Sequence, residues 1–257
     1  MATQLSNAVE IFGQDVYTTS LVQQHTLGSV GFTADGRKFR YASVQPSAGG
    51  ATGQPTGATL VSGNVLQGPA QIANHLALVP LAATAVGDTT ITLTLGATAA
   101  YANQYAGGYM IVSTTPGNGY AYLIKSHPAA ASSATVLLTL SDAIKVATTT
   151  SSRMDLQQNQ YSGVIQAPVT TATGAAVGVA LQPIAANTDG TLNFGWIQTY
   201  GPSATLITGT PAVGQMVTSV GAAAGAAAIF SGTLPAIGYT MSTGVTGKNN
   251  AVFLTID

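Results

Sequence analysis

Cysteine is absent from the 257 residues, which excludes disulfides, thiolate nucleophiles and thiolate metal sites. Charge is scarce as well. Seven Lys and Arg against eight Asp and Glu give a net charge of −1 and a charged fraction of 6%, where ordinary globular domains carry about 25%. So weak a field excludes the basic surface that nucleic-acid binding needs. Long apolar runs are missing too. HLALVPLAATAV (75–86) is too short for a membrane span and contains Pro80. The GxxxG of Gly221 and Gly225 sits among Gln215, Ser219, Gly232 and Pro235, a loop composition rather than a membrane helix. The first Lys or Arg is Arg37, so no secretory leader and no membrane partner are expected.

What fills the chain instead is Gly, Ala, Thr and Ser in a period of two. TTITLTLG (89–96) puts Ile91, Leu93 and Leu95 on one face and threonines on the other, the pattern of a half-buried strand. GNGYAYLIK (117–125), SATVLLTL (133–140) and AVFLTI (251–256) read alike, and turn clusters such as TPGNG, NTDG and GVTGKNN separate them. Helical signals are confined to TQLSNAVEIF (3–12), a short helix or arm, and to one turn over SDAIKVA (141–147) capped by Ser141. The expectation is an all-β chain of antiparallel sandwich or barrel strands. It comprises an N-terminal arm (1–28), a main β-domain (29–79 and 161–257) and an additional middle β-unit (80–160).

Three of the seven basic residues, Arg37, Lys38 and Arg40, crowd into VGFTADGRKFRYASV (30–44). A two-residue Asp35-Gly36 loop of type I′ would pair Phe32 with Phe39 and Val30 with Tyr41 on an apolar face. Thr33 with Lys38 and Gly31 with Arg40 would then form a basic one. That face solvates an edge strand, where Lys blocks unwanted pairing, docks on an acidic protein patch, or binds phosphate.

Chemistry is hard to find. His25, His75 and His127 show no metal-ligand spacing and read as solvent-facing or hydrogen-bonded. A GxSxG elbow is absent. Asp35, Asp88 and Asp189 occupy turn sequences where Asx bonding accounts for them. The single Trp196, among Phe194, Ile197 and Tyr200, reads as a core or subunit contact. The expectation is no enzyme, no cofactor and no metal.

Several segments together resemble the head-associated decoration, or cement, proteins of tailed bacteriophages. They are GSVGFTADGRKFRYASV near the start, YAGGYMIV, GNGYAYLIKSHP and VLLTLSDAI in the middle, and YSGVIQAP, FGWIQTYGPSATLI and LPAIGYTMS towards the end. The resemblance implies a non-catalytic component made in the host cytoplasm and carried on the capsid surface of the virion. It also implies contact with the major capsid protein and with itself as a homotrimer. Arg37, Lys38 and Arg40 are the residues expected at the capsid, and Trp196 and Tyr200 at a subunit or core contact. The rival readings are a tail, fibre or spike structural protein, and a carbohydrate-binding module on the virion surface.

Overall fold

Alternation of apolar and polar side chains builds nearly every element. The computed structural model describes residues 15–48 and 54–257; the expected helix or arm at 3–12 lies outside them. The protein is all-β, its strands antiparallel, and among the described residues the one helical element is a 3-10 turn, Ala73–His75. The chain divides into two compact units. A middle unit holds Gln71–Asn159 with Gln54, and a flanking unit holds Pro55–Ala70, Gln160–Asp257 and the described part of Ala8–Gly50.

The first strands are β1 (Thr19–Ser20), β2 (Val30–Phe32), β3 (Lys38–Val44) and β4 (Val65–Gln67) of the flanking unit. The middle unit follows with β5 (Val79–Pro80), β6 (Thr90–Thr94), β7 (Tyr109–Val112), β8 (Ala121–Ser126), β9 (Thr135–Leu140) and β10 (Met154–Gln157). Its strand order is β10-β7-β8-β9-β6-β5. Leu78, just before β5, exchanges two backbone hydrogen bonds with Met154 of β10, at 2.8 and 3.0 Å, so the two outermost strands meet and the sheet closes into a small barrel. The inward rows are the predicted ones: Ile91 lies opposite Leu138 and Leu93 opposite Val136, all buried. Met110, Tyr122, Ile124, Met154 and Leu156 fill the same core. Each fully buried aliphatic side chain contributes about 1.5–3 kcal/mol.

The expected helical turn at 141–147 is not formed. Ser141 N–H bonds to Leu123 O and Ile144 N–H to Asp88 O, both at 2.8 Å. The Ile144 amide, which a Ser141 cap would accept from, is spent on Asp88 instead, and Ile144 is fully buried.

The flanking unit resumes with β11 (Ile165–Gln166), β12 (Ala176–Ala180), β13 (Asn193–Ile207), β14 (Met216–Thr218), β15 (Ala228–Ile229), β16 (Ala236–Thr240) and β17 (Lys248–Thr255). Its order is β11-β4-β12-β13-β17-β16-β14-β15, with β1 and β3 also on β13 and β2 on β3. The fifteen residues of β13 pair with β1, β3 and β12 in their first half and with β17 in their second. Ala227, just before β15, forms a parallel bridge with Ile207, so this sheet curls back on itself. At Gly238 of β16 a Cβ would lie 2.1 Å from Phe253 O; only glycine allows that approach. The described part of the expected arm packs on its own unit. Thr19 pairs with Gly195, and Val16 and Leu27 rest on the aromatic cluster of Phe39, Tyr41, Phe194 and Trp196.

The β2–β3 register corrects the sequence reading by one residue. Val30 pairs with Arg40, Gly31 with Phe39 and Phe32 with Lys38. The connection has three residues, Ala34-Asp35-Gly36, closed by Thr33 N–H to Arg37 O at 3.1 Å and Gly36 N–H to Thr33 O at 2.9 Å. Gly36 takes φ +83°, the left-handed residue that follows a type I turn in such a loop. Thr33 Oγ1 and the Arg37 amide and guanidinium all donate to the Asp35 carboxylate, which favours this turn over the tighter one. The shift falls on β2 alone: Phe39 and Tyr41 stay buried at 0% and 2%, while Phe32 turns outward and is 63% exposed.

Leu138→Ala removes a fully buried side chain and is expected to destabilise the protein by about 2–5 kcal/mol, read as a lower midpoint in urea denaturation followed by far-ultraviolet circular dichroism.

Candidate interaction surface

The basic cluster is less free than its sequence suggests. Arg37 Nε is 2.7 Å from Asp35 Oδ2. Arg40 makes a two-pronged contact with Asp257, Nε to Oδ2 at 2.6 Å and Nη2 to Oδ1 at 2.7 Å, and donates from Nη1 to Gly28 O at 2.8 Å. Its guanidinium also lies over the Tyr161 ring. The Arg40 hydrogen bonds hold the Asp257 carboxyl below the usual carboxylate range against its partial burial. Lys38 Nζ sits 5.0 Å above the Tyr200 ring, a cation–π contact. Two of the three predicted docking cations are thus matched by carboxylates.

Trp196 and Tyr200 belong to opposite faces. Trp196 is 3% exposed, with Tyr41 edge-on at 5.2 Å and His25 at 5.5 Å; it is a core residue. In a regular strand, residues four apart point the same way. Here the register shifts between Gln198 and Tyr200, and this bulge turns Tyr200 out to join Lys38, its partner across β3.

Tyr200 then belongs to a row that the sequence did not reveal. Phe32 is opposite Lys38, Lys38 opposite Tyr200, Phe253 opposite Pro202 and Tyr239 opposite Phe253. Met216 is opposite Tyr239, and Phe230 N–H bonds Met216 O at 3.0 Å. The rings touch along the row. Tyr200 meets Phe253 edge-on at 5.2 Å, and Phe253 stacks on Tyr239 at 5.3 Å with 9° between planes. Six strand-to-strand steps of about 4.8 Å make the row roughly 29 Å long. Its ends are open: Phe32, Tyr239 and Met216 are 63%, 40% and 51% exposed. Lys38 is the one charged side chain in it.

Such a row suits adhesion to another apolar surface. Sugar binding asks for aromatic faces turned outward, whereas Phe253 and Tyr239 turn their faces to each other. Among the described residues no group of three or more His, Cys, Asp and Glu gathers to hold a metal, and no helix is long and apolar enough to cross a membrane. Of the three histidines, His75 and His127 are brought together around Tyr105 in the middle unit, a contact their spacing hides.

Asp257→Asn leaves Arg40 without its carboxylate and is expected to cost about 1.5–3 kcal/mol at pH 7. The Asp257 acidity is raised by folding, so this contribution is present above the ordinary carboxylate value near 3.9 and fades as pH falls below it. Urea titrations of both proteins at pH 7 and pH 3 should show the gap shrinking. Compared with known protein families, with curated proteins and with solved structures, the chain matches none.

Proposed function

We propose that the chain is a non-catalytic structural component of a virus particle. It would be a head decoration protein that docks on the outside of an assembled tailed-phage capsid and stabilises it. The observation that carries this reading is the exposed row from Phe32 to Phe230, on a protein whose surface has almost no charge. Twenty large apolar side chains are exposed among the described residues. With a net charge of −1, little repulsion opposes association, so a covered surface is the natural state of this composition. The resemblance of the hairpin and the G-W-x-Q segment (195–198) to decoration proteins supplies the kind of assembly.

The size of the row bears on how it would act. A strip roughly 29 Å long and about 10 Å wide covers some 300 Å², well below the roughly 800 Å² per partner of a stable two-body interface. Each contact alone is therefore weak. Copies joined as a homotrimer would engage several capsid subunits at once and gain from effective concentration. Binding only the assembled shell would stabilise it by mass action. The carbohydrate-binding alternative shares the exposed aromatics but not the outward-facing rings.

Phe32→Ser with Tyr239→Ser is expected to leave the circular dichroism spectrum unchanged and to weaken co-sedimentation with expanded capsid shells by about 10- to 100-fold, since buried aromatic anchors dominate interfaces. Undiminished binding would exclude the row as the docking face. Lys38→Glu is the clean charge reversal, because Arg40→Glu would also break the Asp257 pair; it is expected to reduce shell binding if capsid carboxylates face Lys38.

A further inference from the structure

Within the middle unit, three residues distant in sequence form a relay. His75 lies in the 3-10 turn, Tyr105 in the 97–108 loop and His127 just after β8; they are 0%, 2% and 4% exposed. Tyr105 holds both rings. Its hydroxyl bonds His75 Nδ1, and its backbone N–H donates to His127 Nε2 at 3.0 Å. The other ring nitrogens face carbonyls, His75 Nε2 to Thr98 O at 2.9 Å and His127 Nδ1 to Pro128 O at 2.8 Å.

A carbonyl only accepts, so each ring carries its proton on the nitrogen facing it, and the nitrogen facing Tyr105 is bare. The two histidines differ in what protonation does. A hydroxyl can turn and accept, so the Tyr105 side chain tolerates a charged His75. A backbone N–H cannot accept. A proton on His127 Nε2 would set two donors head-on and break that bond.

The surroundings offer the charged ring nothing in return. Facing His127 are Tyr105 and Asn103 from the loop, whose Oδ1 accepts the His127 amide at 3.0 Å, and the Pro128 carbonyl. His75, across Tyr105, opposes a second positive charge. Tyr101 and Gln104 share the loop, and Gln158, beyond β10, bonds Gln104 O and Tyr101 OH. The charges carried on these elements lie elsewhere: Lys125 is exposed on β8, and Asp155 on β10 accepts the Ala77 amide at 2.7 Å. Burial pushes the pKa of both imidazoles below the ordinary histidine value, and no carboxylate contributes to either.

The closed loop also carries one unmet cost. Gln104 is 1% exposed, and neither its amide oxygen nor its amide nitrogen has a hydrogen-bond partner. Closing the loop strips that amide of water without replacement, and opening restores it. The bonds at Tyr105 and Asn103 oppose this cost together with the paired backbone bonds of Ala100 with Ala130 and of Gly107 and Gly108 with Ile124.

We propose that His127 is an acid-sensitive latch: neutral, it pins Tyr105 and keeps the 97–108 loop closed on the barrel core, and protonated, it releases the loop. The direction follows from linkage. The ring takes a proton more readily with the loop open, so the closed state is fully favoured above about pH 6.5. The open fraction then rises by up to about tenfold for each pH unit below that. The latch is independent of the capsid reading, since it lies in the middle unit and involves no residue of the aromatic row.

Hydrogen exchange of the full chain, corrected for the pH dependence of intrinsic exchange, tests it at pH 7.5 and 5.0. Protection of peptides within 97–108 is expected to fall at least tenfold at pH 5.0, while strands β6, β8 and β9 and the peptide holding Trp196 keep theirs. His127→Gln places a non-titrating acceptor where Nε2 stands, and its loop protection is expected to be the same at both pH values. Unchanged protection of the wild-type loop overturns the proposal, as does an equal loss in His127→Gln or a loss shared by the whole barrel. Should His127→Gln fail to fold, the wild-type His127 ring titration by NMR decides. Titration near 6.5 without loss of loop protection overturns the latch, and titration coincident with that loss supports it.

Discussion

The backbone hydrogen bonding of β13 is the constraint on which the flanking unit depends. Fifteen residues of extended chain must have their amides and carbonyls paired, and the partners come from four distant segments: residues 19–20, 38–44, 179–180 and 248–255. One strand thereby fixes the aromatic cluster around Trp196 and the register of β3, and it positions β17, against which β16 and then β14 are laid. The ion pair of Arg40 with Asp257 ties β3 to the chain two residues beyond the end of β17. Its stabilisation comes from two aligned hydrogen bonds to a charge in a partly shielded place, which is stronger than a surface pair in open water.

A single bulge in β13 has consequences for the surface. Without the shift at Gln198 and Tyr200, Tyr200 would follow Trp196 to the buried side, and Lys38 would have no ring beneath it. The same holds for the three-residue turn at Ala34-Asp35-Gly36. It leaves Phe39 in the core but turns Phe32 out, so an apolar residue written in an alternating strand ends on the wet face. Two local irregularities thus add Tyr200 and Phe32, whose periodicity points inward, to an outward row that Phe253, Tyr239 and Met216 form by ordinary alternation.

The middle unit solves a different problem. A closed barrel of short strands has few side chains to spare, and its core is aliphatic except where Tyr122 and the His75–Tyr105–His127 relay enter. Buried polar groups of this kind stabilise only when every hydrogen bond is met. The two imidazoles meet that condition in their neutral forms, and Gln104, beside them, does not. Order and its weak point therefore lie in one loop.

The fold class was legible in the sequence because a half-buried strand needs alternation and little else: Ile91, Leu93 and Leu95, or Tyr122 and Ile124, announce their inner face by spacing alone. Register was not legible. An Asp-Gly pair serves a two-residue or a three-residue turn, and the choice rests on the side-chain bonds of Thr33 and Arg37 to Asp35, which exist only once the turn is made. Nor does spacing show where a strand bulges, so Tyr200 could not be placed relative to Trp196. The aromatic row and the histidine relay are products of pairing between segments up to 162 residues apart. Only the tertiary structure decides such pairings, because a hydrogen-bond ladder is set by both of its strands.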